Sequence, residues 1–303
     1  MTKRVASSPS SPALSEEYTV ASFLRRDALW VALAAAAFVA LFWTTFRGLM
    51  RDWLEDPDLS HGLLIPVIGG VILFSNRRTL RSIAVRRSNA GLLVLLASLG
   101  FYFVGCLSFV NVIERFALWG ALIGSVWFLL GPAVLAAQPF PFFFLLLAIP
   151  PPYFLVLPLR LALKGFATRL SADLLLVLGY PAFPEGNILA LGEHRLEVAD
   201  ACSGIRSLMA IISTAILFAY LFKAGPWKCL LLTVTAIPVT VAVNVLRIIV
   251  IAVALYTFQV DLTHGAEHEL VGFAVFAVSL GLLYGSWGFY RWFFRWKRAE
   301  ETT

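Results

Sequence analysis

The sequence predicts an all-α polytopic integral membrane protein of about eight transmembrane helices. A small extracytoplasmic β-hairpin is expected at about 187–198 and an outer-face helical segment at about 153–180. Three observations predict this class. First, of 303 residues 60% are hydrophobic and only 14% are charged, against about 25% charged in an average soluble domain. That is too little charge to cover a folded surface in water, which excludes a soluble enzyme, and the chain is too apolar to stay disordered. Second, the apolar residues fall in runs of bilayer length, and at about 20 residues per crossing there is room for roughly seven to ten. Third, the basic residues gather in short loops beside those runs. The net charge of +6 therefore reads as positive-inside topology and not as nucleic-acid binding.

The elements follow in order. Residues 1–20 are rich in Ser, Pro and Ala, and a flexible cytoplasmic tail is expected over 1–24, ahead of a membrane domain at 25–292 and a basic cytoplasmic tail at 293–303. Arg25 and Arg26 precede the first span, 28–46. No small-residue cleavage site stands out after it, so it reads as a retained helix. The polar loop 47–60 leads into a second span at 61–74, and the loop 76–89 carries five arginines. Spans three and four are 90–110 and 114–130. A short fifth, 138–149, ends at Pro150, Pro151 and Pro152, which cannot continue a helix. Segment 153–180 is apolar enough to span yet holds Arg160, Lys164, Arg169 and Asp173. Arg160 and Lys164 share one helical face, while Arg169 and Asp173 fall nearly opposite. Residues 187–198 alternate around Gly192-Glu193 as a hairpin. The last three runs are 203–222, 229–256, with a kink expected at Pro238, and about 268–289.

The 24 basic residues set the orientation. With 153–180 outside, lying on or dipping into the bilayer, there are eight spans and both termini face the cytoplasm. Fifteen cations then lie inside: Lys3, Arg4, Arg25, Arg26, Arg77, Arg78, Arg81, Arg86, Arg87, Lys223, Lys228, Arg291, Arg295, Lys297 and Arg298. Seven lie outside: Arg47, Arg51, Arg115, Arg160, Lys164, Arg169 and Arg195. The other two, Arg206 and Arg247, fall within spans. If 153–180 crossed in addition to these eight, the Lys223–Lys228 loop and the basic C-terminus would face outward and the bias would weaken. In the eight-span arrangement His61, the hairpin, 200–206 and 261–269 all emerge on the outer side.

Four places there can carry chemistry. Cys202 opens the sixth span, among Asp200, Ser203 and Gly204, with Arg206 one turn deeper on the same face. A guanidinium and a helix N-terminus both favour thiolate, which makes Cys202 a candidate nucleophile. The bland alternative is a small apolar residue at a helix start, which suits Cys106 and Cys229; three cysteines are too few for a disulfide framework. Arg247 lies deep in its span with Asn244 at i−3 on the same face. An arginine there is expensive and marks a functional site by default, suited to a carboxylate or a developing oxyanion. Its bland alternative is a structural arginine bonded to the carbonyls of a kinked helix. The loop His264-Gly265-Ala266-Glu267-His268-Glu269 has two readings. It matches an inverted zincin pattern, with His61 or Glu197 as a third zinc ligand. Equally, one of its histidines serves Cys202 as general base, or the loop is simply polar. His61, at the outer start of the second span, caps that helix, lines the same cavity or rests in the headgroups.

Several segments together resemble the exosortase/archaeosortase family of membrane cysteine transpeptidases. They are Asp56-Pro57-Asp58-Leu59-Ser60-His61-Gly62-Leu63-Leu64-Ile65-Pro66, Glu185-Gly186-Asn187 with the hairpin, Ala201-Cys202-Ser203-Gly204-Ile205-Arg206-Ser207, Asn244-Val245-Leu246-Arg247-Ile248 and His268-Glu269-Leu270-Val271-Gly272. The likeness runs from about residue 28 to 290. It implies a catalytic set of Cys202 as nucleophile, Arg247 and His268, with Gly272 selecting His268 over His264. Arg206, Asn244, His61, Ser203 and Asp200 stand as supporting or substrate-binding positions. It implies no cofactor and no nucleic acid. The implied substrates are secreted proteins ending in a Pro-Glu-Pro-type motif, a transmembrane helix and a basic tail, handled at the outer face of the bacterial inner membrane. The acceptor is not implied, and no fused processing module is expected. Two other readings stand beside it: a zinc-dependent intramembrane peptidase using His264, Glu267 and His268, and an anion transporter using Arg247.

Overall fold

The computed structural model describes residues 18–198, 205–263 and 265–300, with the backbone alone for 266, 268, 269 and 295–300. In chain order the α-helices are α1 (Val20–Arg26), α2 (Ala28–Leu41), α3 (Trp43–Glu55), a 3-10 helix (Pro57–Leu63), α4 (Leu64–Ser75), α5 (Arg77–Arg81), α6 (Asn89–Ser108), α7 (Asn111–Leu130), α8 (Pro132–Ala137), α9 (Pro139–Phe144), a second 3-10 helix (Leu145–Ala148) and α10 (Tyr153–Val177). Strands β1 (Ala182–Glu185), β2 (Ile188–Leu191) and β3 (His194–Glu197) follow, then α11 (Ile205–Leu221), α12 (Pro226–Phe258) and α13 (Gly265–Glu300).

The protein is an all-α polytopic membrane protein. Among the described residues, five helices are long and apolar enough to cross a membrane: Pro57–Ser75, α6, α7, α12 and Leu270–Phe294. Two bent pairs pass the same test together, α2 with α3 at 65° and Pro139–Ala148 with α10 at 73°, for up to seven. α11 is apolar but has 17 residues. Each expected run therefore has its helix. What differs is that run 138–149 and segment 153–180 are joined as one bent pair, a broken span or a re-entrant loop. Its break falls at Pro150–Pro152, where three residues lack the N–H a helix needs. α12, by contrast, runs unbroken through Pro238 for 33 residues. Thr233, Thr235 and Thr240 back-bond to the carbonyls of Cys229, Leu231 and Ala236 along this stretch.

The chain divides into two compact units, Met1–Phe46 with Ile68–Phe142, and Arg47–Val67 with Phe143–Thr303. The first is built on the α6–α7 hairpin. A Cβ on Gly91 would stand 2.3 Å from the Phe128 nitrogen, and one on Gly124 would stand 2.5 Å from the Leu95 nitrogen. Glycine at these positions lets the two backbones touch, which is how membrane helices associate without a hydrophobic driving force. Glu114 of α7 accepts from Thr45 at 3.2 Å. Part of the stretch expected as a tail, from residue 18, is described. Thr19 bridges to Ala84, and α1 buries Val20 and Phe23, with the Val20 N–H donating to Ile83 at 2.9 Å. The short amphipathic stretch was masked by the Ser/Pro-rich residues before it. At the other end α13 continues to Glu300.

In the second unit α12 is the central element. One side packs with Ile211, Ala215 and Ala219 of α11 and Leu283 and Trp287 of α13 through Leu232 and Ala236. The other side, with Val245, Ile248, Ile251 and Ala252, packs on Ala167, Ala172 and Leu175 of α10 and on the sheet. The sheet is antiparallel in the order β1-β2-β3. Its β2–β3 arm matches the expected hairpin, with Leu189 opposite Leu196. Its first strand was not expected, since Pro184 and the Gly186 turn hide the pattern. Both turns place a glycine with positive φ first, Gly186 at 64° and Gly192 at 59°, followed by a residue of negative φ. That is the II′ pattern, which suits the strand twist. Leu189, Leu191 and Leu196 are buried against the helices while Glu185, Arg195 and Glu197 face out.

Candidate active site

The site is assembled within the second unit, beginning at the turn 56–62. Asp56 caps it, accepting from the Asp58 N–H at 2.9 Å, and Pro57 takes the first position, where no N–H is needed. Ser60 bonds back to the Pro57 carbonyl at 2.9 Å. Gly62 sits under the Trp53 ring, where a Cβ would lie 2.3 Å from Trp53 Nε1. Trp53 Nε1 in turn donates to the Ala148 carbonyl at 2.9 Å. The glycine is thus a space requirement that ties this turn to the second 3-10 helix. Among the described residues His61 Nδ1 is buried without a hydrogen-bond partner.

Asp58 is the electrostatic junction. Its Oδ2 accepts from Arg160 Nη2 of α10 at 2.5 Å, and its Oδ1 lies 3.8 Å from Arg206 Nε at the start of α11. One carboxylate from the turn therefore holds two guanidiniums from two different helices. The face of α10 that begins at Arg160 continues as Lys164, Thr168 and Ser171, all buried. Thr168 bonds to the Lys164 carbonyl at 2.8 Å, and Ser171 Oγ donates to the Val245 carbonyl of α12 at 3.5 Å. Tyr180 meets Tyr256 edge-on at 5.6 Å. Both contacts advance together along the two segments, so α10 and α12 run in the same direction.

On α12, Asn244 and Arg247 are buried at 5% and 7% exposure. Arg247 lies eleven residues before Phe258, the end of α12, about 17 Å along the axis. Its guanidinium reaches α13: Nη2 is 3.6 Å from where a Cβ on Gly272 would stand. An alanine methyl there would just make contact, and a larger side chain would displace the guanidinium. His268 precedes Gly272 by four residues in the same helix, which is one turn, about 6 Å along the axis. The Arg247 guanidinium is therefore within a turn of the helical position that carries His268.

Of the residues singled out in the sequence, Arg206, Arg247, Asn244 and His61 are placed in this unit. Asp200, Cys202, Ser203 and His264 lie outside the described residues, as does the side chain of His268. Glu267 is exposed in the first turn of α13. Among the described residues no three His, Cys, Asp or Glu side chains gather as a metal-binding set. The inverted-zincin set depends on His264 and His268 and so lies outside what is described. Sequence reasoning missed Asp58 and Arg160, whose partnership joins residues 102 apart. The signal was there in part, in the shared face of Arg160 and Lys164 on a segment otherwise apolar enough to span.

A bundle of apolar helices that buries arginine, lysine and asparagine within one unit marks a membrane protein with a candidate functional site inside its helices, since such groups are expensive in the bilayer. The family profile of the transmembrane exosortase (Exosortase_EpsH) matches residues 53–285, from α3 into α13. The chain belongs to that family, which implies a membrane transpeptidase. No curated protein and no solved structure matches it.

Proposed function

We propose that this exosortase cleaves the C-terminal sorting signals of secreted proteins, a Pro-Glu-Pro-type motif followed by a transmembrane helix and a basic tail, and transfers the body of the protein to an acceptor. The observation that carries the reading is the Arg247 guanidinium lying against Gly272, one turn beyond His268, inside the family match. In this reading the Cys202 thiolate attacks the scissile carbonyl and its S–C bond forms. Arg247 donates to the oxyanion that develops on the carbonyl oxygen. The C–N bond then breaks, His268 supplies the proton to the leaving amine, and an acyl-enzyme thioester remains. His268 next takes a proton from the incoming acceptor, whose attack releases Cys202.

The same reading places the protein in the bacterial inner membrane with both termini in the cytoplasm and the site at the extracytoplasmic face. The up to seven spans of the described helices, with α11 added, give eight crossings. In that arrangement α10 is the outer arm of a broken span. Its parallel run beside α12 supports that assignment.

The test is co-expression with a tagged substrate in a strain lacking the enzyme. Cys202→Ala and His268→Ala abolish processing and leave full-length precursor, while His264→Ala and chelators leave processing intact. Processing that survives Cys202→Ala, or that fails equally with His264→Ala and with chelator, contradicts the reading and favours the zinc peptidase.

A further inference from the structure

The arginines of the second unit fall into two groups with different surroundings. Arg247 faces α13 at Gly272. Arg160 and Arg206 face Asp58. Among the described residues the second group is not electrically balanced. Two guanidiniums share one carboxylate, which leaves one formal positive charge, and Asp58 is the carboxylate ion-paired to either of them among the described residues. Among the described residues, Arg160 Nε and Arg206 Nε are both buried without a hydrogen-bond partner, although Arg206 Nε lies 3.8 Å from Asp58 Oδ1. The group is reached by solvent all the same, with the Arg206 side chain 38% and the Arg160 side chain 22% exposed. A buried N–H without an acceptor is costly, so these positions are not filler. A planar guanidinium pair with excess charge fits a carboxylate, which accepts bidentate hydrogen bonds. Arg206 is four residues from Cys202 in the sequence.

We propose that Arg160 and Arg206, held in place by Asp58, form the subsite that receives the acidic side chain of the substrate's motif. This rests on the function proposed above and divides its labour. Arg247 serves the reacting carbonyl, the Arg160–Arg206 pair reads the motif, and Asp58 is a positioning residue that fixes the spacing of the two guanidiniums. Asp58 also keeps the empty subsite from trapping other anions, because a carboxylate already occupies one side of each arginine.

The test measures selectivity in membranes holding the full chain, with two tagged substrates that differ only in the motif's acidic residue, Glu or Gln. The unaltered enzyme processes the Glu substrate faster by about tenfold or more, the ratio one charge-assisted hydrogen bond supplies. In Arg160→Gln and in Arg206→Gln that ratio falls toward one. Arg160→Glu shifts preference toward a substrate carrying Lys at the position. The proposal is overturned if the ratio is unchanged in both glutamine variants. It is equally overturned if both substrates slow in proportion, which is the signature of a purely structural pair or of a lipid-phosphate site. The Cys202→Ala control separates the two levels. If Cys202 is required and the ratio does not move, the subsite fails while the transpeptidase reading stands. If processing survives Cys202→Ala, that reading fails first.

Discussion

The two units solve the membrane problem with different emphasis. The first packs by subtraction. Gly91 and Gly124 remove side chains so that α6 and α7 meet backbone to backbone, and α2 buries none of its fourteen residues, leaving them to lipid. The second packs around polarity. Lys164, Thr168 and Ser171 of α10 and Asn244 and Arg247 of α12 are all buried, and Asp58 gathers two arginines. Van der Waals contact between small residues closes the α6–α7 hairpin, which also buries Arg115 and Ser98. Buried cations are expensive in the same solvent and are kept where they act. The contrast predicts that substitutions in the first unit change mainly how much protein folds, and that substitutions in the second change what the folded protein does.

The sharpest way to break that contrast is Arg247→Ala. Loss of one oxyanion donor costs about 10²–10³ in rate, so processing by this variant should drop by that factor at normal membrane levels, measured as conversion of tagged precursor per enzyme molecule. Next comes a pair at Gly272. Gly272→Leu displaces the guanidinium and lowers the per-molecule rate by about tenfold or more, whereas Gly272→Ala, whose methyl would meet Arg247 at 3.6 Å, stays within about threefold, for a cost under about 1 kcal/mol. Equal damage from both would remove Gly272 as a space-holder. In the first unit, Gly124→Leu forces a side chain into the Leu95 backbone at 2.5 Å. It should destabilise the protein by about 1–3 kcal/mol, read as a lower melting midpoint in detergent, with the per-molecule rate of the surviving fraction preserved. The smallest effect is expected at Glu185→Gln, which removes the 3.2 Å pair with Arg195. Those side chains are 50% and 70% exposed, so the midpoint should shift by less than about 0.5 kcal/mol equivalent.

What the sequence made legible was periodic or local. Apolar runs marked the helices of the bundle, and alternation around Gly192-Glu193 marked the β2–β3 hairpin. Arg247 stood out because a charge inside an apolar run is itself a signal. The rest depended on distance. Asp58 reads as an ordinary interfacial acid until α10 and α11 bring Arg160 and Arg206 to it. The role of Gly62 shows only once the Trp53 ring is seen to occupy the space of its missing side chain. Segment 153–180 was ambiguous because its two charged faces are nearly opposed. The structure resolves one of those faces as a buried stripe running beside α12. α1 and β1 escaped notice because a seven-residue helix beside a Ser/Pro-rich stretch and a four-residue strand containing Pro184 carry little pattern.

The central claim is that chemistry in the second unit proceeds through a bond to Cys202. The most direct measurement is to incubate membranes with a tagged substrate while acceptor is limiting and to map the enzyme's peptides by mass. The account predicts the substrate's body attached at Cys202 through a thioester that neutral hydroxylamine releases, and no such adduct in Cys202→Ser. Cleavage of the substrate with Cys202 unmodified, and undiminished in Cys202→Ser, would contradict it.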